Sequence, residues 1–239
     1  MIRRPPRSTP KPSSAASDVY KRQYHNRADY AGMIQSLDEN VGKIMDKIDE
    51  LNLSENTLII FTSDNGGISA ISNQYPLRAG KGSYYEGGIK VPLIFSWPGQ
   101  VKSNLQSDAL VELMDITPTL LEVCGIEHPN YMQGKSLWPI ISGSAKPDFH
   151  KPHIRSEFFD ALNQPYHSRA TLLRDARFKL VMYHGIGLGE LYDLDQDPGE
   201  FDNLWDDQDH SEMKQSMIIK SFDASMQAID LGPECIGPM

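Results

Sequence analysis

Thr57-Leu58-Ile59-Ile60-Phe61-Thr62 runs directly into Ser63-Asp64-Asn65-Gly66-Gly67. Its apolar residues are continuous rather than alternating, the pattern of a strand covered on both faces within a parallel sheet. The polar turn that follows then lies beyond the carboxyl end of a strand, where open α/β sheets bind ligands. Upstream, Met33, Ile34, Leu37, Val41, Ile44, Met45, Ile48 and Leu51 recur at steps of three and four. That spacing predicts one amphipathic helix from Asn26 to Leu51, with Asp38, Glu39, Lys43 and Glu50 outside the stripe. Downstream, Val91–Trp97 is a second apolar run, and Thr117-Pro118 reads as N-cap and first residue of a helix that Gly125 ends. This rhythm predicts an α/β fold built on a mainly parallel sheet.

The character changes near residue 148. Short strand-like stretches, His153–Phe159 and Phe178–Tyr183, are separated by Gly and Pro turns, and a helical pattern spans about Ser211–Ile229. Residues 149–239 are therefore expected to form a small antiparallel sheet with one helix, packed on the larger unit of residues 24–148. Residues 1–23 stand apart. They carry six basic residues and one acid, whereas the whole chain has a formal charge of −9. They show neither a helical nor a strand period and no apolar core of a signal peptide. This leader is read as disordered or foreign to the domain, and the fold argument starts at Tyr24.

Length and composition exclude other classes. With 239 residues, 39% hydrophobic, the chain is long enough for a substantial core. The longest apolar runs fall far short of a membrane span. Two distant cysteines make neither a disulfide framework nor a four-cysteine zinc site. The acidic balance argues against a nucleic-acid partner, since phosphate contacts need clustered Lys and Arg.

Asp64 and Asn65 offer a carboxylate and an amide oxygen, hard ligands suited to Ca²⁺ or Mg²⁺. Asp-Asn-Gly is equally a turn sequence. The next segment, Pro76-Leu77-Arg78-Ala79-Gly80-Lys81-Gly82, sets a lysine between glycines, a point charge on a backbone able to approach an anion closely. A solvated loop explains the lysine but not the glycines. Other candidates read as structure. Asp193–Asp197 resembles the start of a calcium loop but lacks the twelfth-position Glu, so it is expected to be a turn. Gly185–Gly189 is expected to be a hairpin connection, and Cys124 a buried thiol. His153 and His184 read as packing or surface residues before substrate contacts.

These segments, with Tyr85-Glu86-Gly87-Gly88-Ile89-Lys90-Val91-Pro92, Trp97-Pro98-Gly99, Asp115–Leu121, Gly134–Leu137, Arg177–Leu180, Glu190–Leu194 and Asp197–Glu200, resemble the formylglycine-dependent (type I) sulfatases of the alkaline phosphatase superfamily. The resemblance runs from about Tyr24 to the end of the chain and implies part of an alkaline-phosphatase-like sandwich. It also implies one Ca²⁺ held in part by Asp64 and Asn65, a catalytic Lys81 on the sulfate, and a substrate contact from Arg78 at the pocket rim. The implied partner is a small-molecule or glycan sulfate ester, and the family is mostly exported to the periplasm or secreted.

The family's nucleophile, a formylglycine made within Cys/Ser-x-Pro-x-Arg, has no matching motif here: Cys124 is followed by Gly125-Ile126 and Cys235 by Ile236-Gly237. The N-terminal aspartate pair is also missing. The chain is thus expected to be the C-terminal portion of such an enzyme, inactive alone. Two alternatives stand beside this reading. One is a phosphate or phosphonate ester hydrolase of the same superfamily, which often has His at the place of Asn65 and two transition metals. The other is a non-catalytic anion- or glycan-binding protein.

Overall fold

The computed structural model describes residues 27–159 and 169–229. The predicted first helix is present as α1 (Arg27–Glu50), 24 residues long. Asp29 lies in its first turn and Lys47 in its last, both matching the helix dipole. Its apolar stripe, however, faces solvent: Leu37 is 48% exposed and Ile44 59%.

A one-turn 3-10 helix (Ser54–Asn56) leads to β1 (Ile59–Thr62). Beyond a long loop come the four-residue helix α2 (Glu86–Ile89) and β2 (Leu93–Ser96). Here the parallel-sheet expectation fails. β1 and β2 pair antiparallel, from Ile59 opposite Ser96 to Thr62 opposite Leu93, and no parallel pair occurs among the described residues. The physical reason lies in the connection. A parallel return needs a crossover, usually a helix lying on the sheet. Residues 63–92 supply only α2, and the chain doubles back. Nor is β1 covered on both faces, since Phe61 is 38% exposed.

The second helix also starts differently. A 3-10 turn (Leu113–Asp115) closed by a reciprocal Glu112–Asp115 capping box precedes α3 (Ile116–Val123), so Thr117 lies inside the helix and Asp115 is its N-cap. Gly125 follows the helix at φ +68°, as its position suggested. Cys124, the C-cap residue, is exposed rather than buried, because it sits where the apolar stripe runs out at the helix end. The short helix α4 (Trp138–Ile141) brings the Trp138 ring to 6.1 Å from that of Trp97.

The C-terminal part is an antiparallel sheet in strand order β3 (His153–Phe159), β4 (Arg169–Asp175), β5 (Phe178–Tyr183), β6 (Leu188–Asp193), followed by a 3-10 turn (Gln208–His210) and α5 (Ser211–Gln227). The Gly185–Gly189 stretch forms the β5–β6 hairpin with Gly185 and Gly187 at positive φ, and Asp193 ends β6 in a turn that its carbonyl caps. Because side chains alternate along a strand, register divides this sheet into two faces. Leu173, Leu180 and Leu191 form one row and, with Phe178, pack under Met217 and Ala224 of α5 as the core. The row Arg174, Lys179, Tyr192 and its neighbours Val181 and Glu190 point the other way, toward the glycine-rich loops.

Candidate functional site

The Asp64–Gly67 turn is built at the end of β1. Thr62 Oγ1 donates to Pro92 O (2.9 Å), holding the strand end against the start of β2, and Ser63 Oγ closes the turn on Asn65 O (2.8 Å). Three glycine-bearing segments then interlock through their backbones. Gly66 N–H donates to Gly88 O (2.8 Å), Lys81 N–H to Gly67 O (2.9 Å), and Gly87 N–H to Arg78 O (2.9 Å). The glycines permit this approach. A Cβ on Gly66 would lie 1.7 Å from Gly87 O, and one on Gly87 would lie 2.4 Å from Arg78 O. The two sequence-predicted elements, separate along the chain, are thus joined into one surface.

Asp64 is exposed and Asn65 half-buried, and both border a broad cleft of about 1950 Å³ between the two sheets. Gly82 and Arg174 also border it; Lys81, half-buried, is beside the turn by its backbone but is not among the cleft-lining residues. Asp64 and Asn65 fit part of a Ca²⁺ shell, which takes six to eight oxygens. Among the described residues, no group of three or more His, Cys, Asp or Glu side chains gathers to complete one. Arg78 is turned away from a free role at the rim. Its guanidinium donates to Glu200 O and stacks 3.9 Å over the Tyr85 ring. His184 lies beyond β5 and shares a 3.0 Å hydrogen bond with Thr171 Oγ1, on the α5 side of the sheet.

The structure also reveals a buried polar layer under the loop. Lys179 Nζ, fully buried, lies 2.9 Å from Glu86 Oε1 and 2.5 Å from Glu200 Oε1. Arg174 Nη1 bonds Glu86 Oε2 (3.0 Å), and Glu86 N–H donates to Glu200 Oε2 (2.7 Å). Beside it, Glu190 accepts from the hydroxyls of Tyr183 (2.9 Å) and Tyr192 (3.0 Å). Burial, reinforced by that carboxylate, pushes both phenols up, so they stay protonated donors. The sequence carries no local signal for this role, because between Phe178 and Leu180 a lysine reads as the outward-facing position of an alternating strand.

The sulfatase family profile matches residues 3–126, and the profile described as N-sulphoglucosamine sulphohydrolase, C-terminal, matches residues 80–227. The chain belongs to the sulfatase family. A sulfatase of Formosa agariphila is 35% identical over 199 residues, which cover 75% of this chain and 36% of that protein. The chain spans about a third of the length of the curated relatives it matches. Among solved structures, one in complex with its substrate D-glucosamine-2-N,6-O-disulfate superposes at a TM-score of 0.71, with 23% identity, covering 82% of this chain and 39% of the other. The phosphonate monoester hydrolase of Silicibacter pomeroyi gives 0.74 and 27%, covering 86% and 42%. These matches place the two small antiparallel sheets within the sulfatase fold.

Proposed function

We propose that this sulfatase-family chain carries part of the metal- and sulfate-binding surface of a sulfate ester hydrolase acting on sulfated sugars. The observation that carries the reading is the backbone interlock that sets Asp64, Asn65 and the Lys81 loop together at the end of β1, beside a cleft. Asp64 and Asn65 would hold one Ca²⁺ through side-chain oxygens. When bound, the cation supplies charge neutralisation at the sulfate oxygens. Lys81, on a backbone freed of side chains on both sides, offers a second positive charge to the same anion, and charge spread over peripheral oxygens is what fixed cations stabilise. Arg78 we assign to holding the loop, since its guanidinium is engaged by Glu200 and Tyr85. The sugar class is supported by the N-sulphoglucosamine profile over residues 80–227 and by the substrate of the superposed structure. The nucleophile motif does not occur in these 239 residues, so we propose that turnover requires a longer polypeptide.

Calcium titration by calorimetry tests the site. In the longer polypeptide that supplies the remaining ligands, one Ca²⁺ per chain is expected, with affinity reduced about tenfold or more in Asp64→Ala, since affinity follows the number of charged ligands. Absence of Ca²⁺ binding, or binding unchanged in Asp64→Ala, overturns the assignment. A second reading, phosphonate ester hydrolysis, is favoured by the match to the Silicibacter pomeroyi enzyme. Uptake of two zinc ions per chain in place of one Ca²⁺ would select it.

A further inference from the structure

We infer that Lys179, clamped between Glu86 and Glu200, is the latch through which the C-terminal sheet sets the position of the glycine-rich loop bearing Lys81. Lys179 and Glu200 are then positioning residues for anion binding, an assignment that rests on the proposed role of the loop.

The geometry runs from the sheet outward. Register places Lys179 in the middle of a row, between Arg174 on β4 and Tyr192 on β6, on the face opposite α5. From there its Nζ reaches two carboxylates that lie 93 residues upstream and 21 residues downstream in the chain. Glu86 is the hub. Its two carboxylate oxygens accept from Lys179 and Arg174 separately, while its own N–H donates to Glu200 Oε2. Glu86 therefore cannot shift without breaking three charged contacts. The next residues, Gly87 and Gly88, are those that bond Arg78 O and Gly66 N. The path from sheet to site is therefore Lys179, Glu86, Gly87-Gly88, and then both the Arg78–Lys81 loop and the Asp64–Gly67 turn. Glu200 contributes a second hold, because its carbonyl accepts from the Arg78 guanidinium.

Charge accounting supports a positional role over a stabilising one. Two cations, Arg174 and Lys179, face two anions, Glu86 and Glu200, so the buried layer is neutral. Apolar residues of similar volume would serve stability as well or better, since desolvating such ions offsets their attraction. What an ionic cluster adds is direction: each bond fixes one atom against another, which apolar packing does not. The opposite face of the same sheet shows the contrast, with Leu173, Leu180 and Leu191 closing the core with no charge at all.

Amide hydrogen exchange on the 239-residue chain tests the latch. In Lys179→Met, the amides of Lys81, Gly87 and Gly88 are expected to exchange about tenfold faster, while those of β4–β6 and α5 keep their protection. A merely structural lysine would instead lower protection across the whole sheet, or nowhere, and either result overturns the proposal. Glu200→Gln, which alters the clamp from outside the sheet, guards against a variant that fails to fold. It should loosen the same three amides, and global loss of protection in both variants also counts against the latch. Inorganic sulfate binding, measured alongside, is expected to weaken in both variants at temperatures well below melting. Wild-type protein that binds no sulfate would refute the anion-loop reading alone, because the exchange result judges the latch separately.

Discussion

Gly66→Ala probes the interlock most directly. A Cβ at this position would sit 1.7 Å from Gly87 O, 2.8 Å from Gly87 C and 3.0 Å from Gly88 Cα. All three are backbone atoms, so no side chain can rotate away. Gly87 O must retreat by about 1.3 Å to reach even 3.0 Å, a floor that real Cβ contacts respect. A movement of that size breaks the 2.8 Å bond from Gly66 N–H to Gly88 O. Losing that bond costs about 1 kcal/mol, and forcing a methyl into a closed contact costs about 1–3 kcal/mol. The expected destabilisation is therefore about 3 kcal/mol, which for a domain of this size lowers Tm by roughly 6–12 °C. Gly42→Ala serves as the control. Gly42 lies in α1, where an added methyl would have nothing within 4 Å, and replacing a helical glycine there should stabilise by about 0.5–1 kcal/mol. Thermal melts of the two variants, read side by side, check the reasoning. A Gly66→Ala melt within about 2 °C of wild type would show that the three segments are not in contact and would refute it.

Two pH dependences follow. Arg177, bonded to both oxygens of Asp193 at 3.0 and 2.6 Å, holds that carboxyl below its ordinary value. The pair therefore contributes stability above the unfolded carboxyl value near 4, and that stability is lost as pH falls through the lower folded value. Urea midpoints of wild type and Asp193→Asn should differ at pH 7 and converge below pH 4; a gap constant with pH refutes the linkage. His150 acts in the same direction in a higher pH window. Burial keeps its imidazole below the usual value despite Asp115 at 3.4 Å, with Lys135 and Lys151 adding to the effect. The unfolded chain thus binds the extra proton first, and stability should fall as pH drops below about 6.5. His150→Gln should flatten the change in urea midpoint between pH 7.5 and 5.5, and an unaltered slope would remove His150 as its source.

Much of the fold was legible where period alone decides. The stripe from Met33 to Leu51 yields α1, and Phe178–Tyr183 yields β5 with the boundaries read from sequence. What periodicity does not carry is direction. The continuous run Leu58–Phe61 is compatible with either sense of pairing, and the antiparallel outcome was set by the helix-poor connection that follows it. β6 (Leu188–Asp193) shows no strand period in the sequence, because Gly189 and Glu190 interrupt its apolar pattern. Both have physical reasons to be there: a Cβ on Gly189 would meet the Trp205 ring at 2.3 Å, and Glu190 collects tyrosine hydroxyls. In the site, glycine spacing pointed to close backbone approach, and the structure locates that approach between Gly66, Gly87 and the Arg78 carbonyl. The buried layer beneath it was not legible, since no local pattern pairs Lys179 with carboxylates 93 residues before and 21 after it.

The described residues divide into a part that covers itself and a part that does not. The four-stranded sheet is closed by α5 on one face and by the glycine-rich loops on the other, with Leu172, Leu180 and Leu191 fully buried. α1 and the β1–β2 pair instead expose Leu37, Ile44 and Ile94. The site turn belongs by sequence to the open part, at the end of β1, yet the hydrogen bonds around it run among Gly67, Gly88 and Arg78, which are fastened from the closed part through Glu86. The geometry of the Lys81 loop therefore depends on the C-terminal sheet more than on what covers α1. By that argument, exposing or covering the apolar stripe of α1 should leave the loop in place, whereas loosening Lys179 should release it.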